Sequence, residues 1–219
     1  MLKKFGEEKL NFQMRQHFAM AVAACLERLG RGEAAVADLL LDHFFDELGS
    51  RAIEDSESFH VRLLPYRWRE GPARGAALLL SLYEPELRFQ KAILFRARAS
   101  INDASTEEGN MFDIDRIKEE ADQMLQISQS ACFVGFVPQG IHVISASSVV
   151  GDNAIDAYLL KNFYYVNIAD FVGNFFFKCF VGDSRPGFIE DLKAGRCCRN
   201  LLEVRITGIP HASQPPLFR

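Results

Sequence analysis

The stretch from Glu70 to Ser100, REGPARGAALLLSLYEPELRFQKAILFRARAS, leaves this 219-residue chain the least freedom. An apolar run from Ala76 to Tyr83 and a second from Phe89 to Ala99 flank Glu84-Pro85-Glu86. Two such runs about a short proline-containing turn predict a β-hairpin. Residues two apart in a strand point the same way, so Arg96 and Arg98 share one face of the second strand. That face is the first candidate site.

The elements around the hairpin follow from periodicity. Apolar residues at Phe12, Phe18, Val22, Cys25, Leu26 and Leu29 have helical spacing, and Gly30 with Gly32 ends that helix. A second helix runs from Gly32-Glu33 to Gly49, giving a helical hairpin over about 11–49. Residues 50–60 are polar and acidic and read as a loop, and 59–71 as a first strand. After the 70–100 hairpin comes a loop rich in Asn, Asp, Ser and Gly. A helix over Ile114–Ile127 follows, with Ile117, Ala121, Met124 and Leu125 on one face. ACFVGFV and IHVISA about Pro138-Gln139-Gly140 form a second hairpin, apolar enough to be buried on both faces.

Asn167–Phe180 reads as a helix crowded with Phe, residues 187–194 as a short helix, and LLEVRITGI as a last strand. The order α-α-β-β-β-α-β-β-α-β implies an α/β fold: a mixed central β-sheet flanked by helices. Residues 1–209 read as one domain and 210–219, with three prolines in PHASQPPLFR, as a flexible tail.

With a net charge of −4, no global field draws the chain to nucleic acid or an anionic membrane, so any nucleic-acid contact needs a local basic patch. Five cysteines, none in a CxxC pair, argue against a disulfide framework and point to the cytoplasm. The N-terminus lacks the apolar core of a signal peptide, and no apolar run approaches the roughly 20 residues of a membrane span.

Several chemistries have no motif here: GxxxxGK[ST], GxGxxG, HExxH, GxSxG and zinc-type Cys/His spacings are all missing. Cys197-Cys198 is a poor chelate and reads as two part-buried residues. His43, within LLLDHFFDEL, reads as a residue beside the core, with a catalytic base as the other option. The Phe171–Phe180 helix, carrying Phe171, Phe175, Phe176, Phe177 and Phe180, reads as core or as a contact with a protein partner or a second copy.

What remains is a dispersed constellation. Gly32-Glu33 with Asp38 opens the second helix and Glu70 precedes the hairpin. Gly75-Ala76-Ala77 begins its first strand, Arg96-Ala97-Arg98 lies on its second, and Gln123 sits on the next helix. This order resembles the PD-(D/E)xK nuclease superfamily, and more narrowly the bacterial restriction-endonuclease-like proteins whose pattern runs GEExITD, GAD, QAK. The resemblance spans roughly residues 32–146. It implies a restriction-endonuclease-like sheet and, in active members, one or two Mg²⁺ held by the helix Glu and the GAD Asp beside an assisting Lys.

This chain departs at the essential places. Ala77 stands where the Asp would be and Arg98 where the Lys would be. Arg96 replaces Gln or Glu, and a guanidinium keeps its proton at any biological pH. Two positive charges there repel a divalent cation. The resemblance thus implies a catalytically degenerate nuclease-like domain, without a cofactor, acting as a binding or assembly module in bacterial defence or DNA transactions.

Arg96, Arg98 and Gln123 would then hold a phosphate or another anion, or the arginines would pair internally with Glu33 or Glu70. The alternative is an active Mg²⁺-dependent nuclease built from Glu33, Glu70 and the displaced carboxylates Glu84 or Glu86. A third reading is an unrelated α/β protein that binds a small anion.

Overall fold

In the N-terminal segment, buried side chains recur at Leu10, Met14, Phe18, Ala21, Val22 and Cys25, the spacing of one helix face. They belong to α1 (Leu2–Gly30). Phe12, expected on that face, is 58% exposed. It lies two residues, about 200° of rotation, from both Leu10 and Met14. Helix α2 (Ala37–Ser50) buries Leu40, Leu41, Phe44, Phe45 and Leu48 and packs on α1, as expected. Phe18 meets Phe44 edge-on with ring centroids 5.9 Å apart. Each such Phe taken fully out of water stabilises the pair by about 1.5–3 kcal/mol.

The structure, a computed structural model, describes residues 2–30, 37–50, 60–67, 76–84, 89–98, 114–137, 140–150, 166–177, 181–195 and 198–207. Among these lie strands β1 (His60–Arg67), β2 (Ala76–Glu84), β3 (Phe89–Arg98), β4 (Ala131–Val137), β5 (Gly140–Ser145), β6 (Val166–Asn167) and β7 (Cys198–Thr207). The remaining helices are α3 (Ile114–Ile127), α4 (Ala146–Val150), α5 (Ile168–Phe171) and α6 (Phe188–Gly195). The expected tail at 210–219, the loop at 51–59, the hairpin turn at 85–88 and Cys197 lie outside the described residues.

The strands form one seven-stranded mixed sheet in the order β1-β7-β2-β3-β4-β5-β6. β7 runs parallel to β2 and β3 parallel to β4, and every other neighbouring pair is antiparallel. The chain is therefore α/β. Both expected hairpins, β2–β3 and β4–β5, are present. The last strand does not extend the sheet at an edge but inserts between β1 and the hairpin. Its composition explains why: Leu201, Leu202, Val204 and Ile206 are all buried, which suits a strand covered on both faces.

Strand alternation divides the sheet's side chains between two layers. Leu80, Leu82, Ile93, Phe95, Leu202 and Val204 pack towards α1, α2 and α5. Ala92, Leu94, Ala131, Phe133 and Leu201 pack with Ile117, Ala121 and Met124 of α3, Val149 of α4 and Phe188 and Ile189 of α6. Leu125, expected on the apolar face of α3, packs part-buried at its margin.

The expected Phe-rich helix over 167–180 is helical over Ile168–Phe176, but its winding changes along its length. Asn167 caps a single α-turn by accepting the Ala169 N–H at 2.9 Å, and residues Val172–Phe176 then wind as a π-helix. At Gly173 the backbone crosses α1 so closely that a Cβ would collide with the Arg15 side chain. Phe176 is fully buried, Phe171 meets Phe95 edge-on at 6.2 Å, and Phe175 is 39% exposed. The segment is thus mostly core, with one ring turned outward. Phe180 lies outside the described residues. No helix among the described residues is long and apolar enough to cross a membrane.

Candidate functional site

In the β2–β3 hairpin Leu78 faces Phe95 and Glu84 faces Phe89. Ala77 and Arg96 each lie one residue beyond Leu78–Phe95, the last pair of that register, so two of the departing positions fall at the same end of the hairpin. The order α2, β2–β3 hairpin, α3, β4 is present, and β4 lies parallel beside β3 with Arg96 level with Phe133. Arg98 continues β3, level with Gly135.

Glu84 is not brought to this place. It sits at the turn end of β2, seven residues and about 23 Å along the strand from Ala77. Glu33, Glu70 and Glu86 lie outside the described residues.

Arg96 faces α3, where its Nε stands 3.0 Å from Glu120 Oε2, with the two side chains 25% and 8% exposed. The N–H does not aim at that oxygen, so this is a charge contact rather than an aligned hydrogen bond. The internal ion pair envisaged for the arginines exists for Arg96, and its carboxylate comes from α3. Gln123 is exposed and does not join it. Glu120 had a legible signal in the sequence: it falls three residues after Ile117 and four before Met124, a charge inside the apolar stripe of α3.

Further polar groups lie in or beside the sheet. Lys91, 2% exposed, sits on the α1 side of β3. Its Nζ donates to the Phe176 carbonyl and, at 3.4 Å, to the Val181 carbonyl, and stands 4.5 Å from the Phe176 ring centroid. Gly182 makes room for it: with φ +122°, a Cβ there would meet Lys91 Cδ at 3.0 Å.

Asp183 pairs its backbone with Ala92 at 3.0 and 2.8 Å, where β3 extends beyond the start of β4. Its carboxylate accepts from Ser128 Oγ at 2.9 Å and from Arg185 at 2.6 Å. Burial pushes that carboxyl up, but the bonds from Arg185 and Ser128 outweigh it and hold it below the usual range.

Glu203 of β7, 2% exposed, takes both Nε and Nη2 of Arg205 on one oxygen at 3.0 and 2.7 Å. That bond raises the Arg205 guanidinium above its ordinary value.

Cys25 and Cys132 are inert by environment. Burial, reinforced at Cys25 by nearby Glu47 against Arg28, pushes each thiol up to about 12. Burial lowers His142 below the usual imidazole value. His43 is half-buried and accepts from Arg28 through Nε2, a contact between α1 and α2. Among the described residues no group of three or more His, Cys, Asp or Glu side chains is placed to hold a metal ion. No protein-family model matches the chain, and no curated protein or solved structure matches it either.

Proposed function

We propose that this chain is a restriction-endonuclease-like domain that has lost nuclease chemistry and works as a binding or assembly module. The observation that carries the reading is the Arg96–Glu120 pair. The position that would carry a Gln or Glu beside the metal instead holds a cation, and that cation is engaged with the helix behind it. Ala77, at the same end of the hairpin, brings no carboxylate. The sequence of helix, hairpin, helix and parallel strand supports the same reading.

Phe175, Phe12 and Met20, at 39%, 58% and 54% exposure, offer apolar contact area for assembly with a protein partner or a second copy. An active nuclease built on displaced carboxylates draws no support from Glu84, which lies at the far end of the hairpin.

The test is incubation of the purified chain with supercoiled plasmid, single-stranded DNA and RNA in Mg²⁺ or Mn²⁺. The expected outcome is no cleavage. Metal-dependent cleavage that disappears in Glu120→Ala or Glu33→Ala would overturn the proposal.

A further inference from the structure

Opposite the hairpin–α3 junction, the same face of the sheet ends in a corner built by β1, β7 and β2. Register fixes which side chains share it. Arg62, Arg205 and Tyr83 form one level, Leu64, Glu203 and Ser81 the next, and Tyr66 and Leu201 the third. Glu203 and Ser81 are buried beneath, while Arg62 is exposed and Tyr66 is 40% exposed. The Arg205 side chain is 38% exposed.

Two cations meet in this corner. Arg62 and Arg205 are directly opposed across antiparallel strands, an arrangement that destabilises a sheet when the charges are alike. Arg205 is held by Glu203 and lies over the Tyr83 ring, 5.3 Å from its centroid. Arg62 has no hydrogen bond or ion pair among the described residues. The two strands therefore present two guanidinium groups on one face, one held by Glu203 and the other exposed, and guanidinium N–H groups receive phosphate oxygens. Although the whole chain carries −4, this corner sets two arginines against the single carboxylate of Glu203, a local surplus of positive charge where nucleic-acid contact would start.

We infer that this corner binds single-stranded nucleic acid, with Arg62 and Arg205 on the phosphate and Tyr66 as a stacking platform for a base. Four residues of β1 separate Arg62 from Tyr66, about 13 Å along the strand. Phosphate and base contacts thus fall on successive nucleotides of an extended strand rather than on one mononucleotide. An exposed aromatic ring on the sheet face that carries the arginines suits unpaired bases, whose faces are free to stack. An acidic peptide would use the arginines and leave Tyr66 idle. Arg62 and Tyr66 lie on β1, three strands from β3 and Arg96, so the inference stands whether or not the nuclease-like reading does.

The experiment is fluorescence anisotropy of labelled dT12 and rU12 with the full chain across a salt series. Arg62 and Tyr66 are exposed, so Arg62→Ala and Tyr66→Ala should fold, which circular dichroism checks. Binding should fall about tenfold in Tyr66→Ala. In Arg62→Ala the slope of log affinity against log salt should shrink by about 0.7. Lys118→Ala, on α3, should change neither. Four results would overturn the inference: no binding of either oligonucleotide, an unchanged salt slope in Arg62→Ala, an equal loss in Lys118→Ala, or competition by polyglutamate as effective as by unlabelled dT12.

Discussion

Replacing Arg96 by Met tests whether the ion pair under α3 holds that helix to the hairpin. At 3.0 Å and an effective dielectric near 20, the attraction between Arg96 and Glu120 is about 5.5 kcal/mol. Desolvation offsets much of it, because Glu120 keeps only 8% of its side-chain surface in water. Arg96→Met removes the cation beside that buried carboxylate and should cost about 3 kcal/mol. Glu120→Gln should cost only about 1 kcal/mol, since Arg96, a quarter exposed, can turn towards water.

In the double variant neither charge is stranded, and the expected loss is about 2 kcal/mol, a coupling energy near 2 kcal/mol. Urea denaturation of all four proteins, read by circular dichroism, measures it. Repetition in 0.5 M NaCl should leave the coupling nearly unchanged, because a pair this buried is weakly screened. A coupling below about 0.5 kcal/mol, or Arg96→Met no worse than Glu120→Gln, would refute the idea that the pair pins α3. It would also remove the observation on which the proposed loss of catalysis rests.

Other expectations follow from the same structure. Lys91→Met strands the Phe176 and Val181 carbonyls and should cost about 2–4 kcal/mol, with faster amide exchange at 172–177 as the local readout. Asp183 titrates below the usual carboxylate value in the folded chain, so its contribution is complete above the unfolded value near 3.9 and is lost as pH falls through the lower folded value. Asp183→Asn should therefore be less stable than the parent at pH 7, with the gap closing below about pH 4 in acid denaturation. Cys25 and Cys132, raised to about 12, keep a thiolate fraction on the order of 10⁻⁴ at pH 8. Mass mapping after iodoacetamide should find both unlabelled until the protein is unfolded.

Local pattern determined a good deal by itself. The β2–β3 hairpin, α3 over Ile114–Ile127 and the β4–β5 pair were all legible, because each rests on contacts between residues near in sequence. The α/β class followed from their order. Non-local pairing decided the rest. Nothing within Cys198–Thr207 says that this strand enters between β1 and β2; that depends on partners more than a hundred residues away. The same insertion brings Arg205 beside Arg62, and no spacing along the chain foretells that pair.

The Phe-rich segment shows the converse. Its composition reads as one α-helix, but where it packs against Arg15 and Lys91 its five residues Val172–Phe176 wind as a π-helix. At Arg96 the sequence supplied the cation and its face of the strand, and only the tertiary structure chose Glu120 as its partner. The physical reason is common to all these cases: a side chain's periodicity fixes which way it points, while its partner is set by whichever element the sheet order places in front of it.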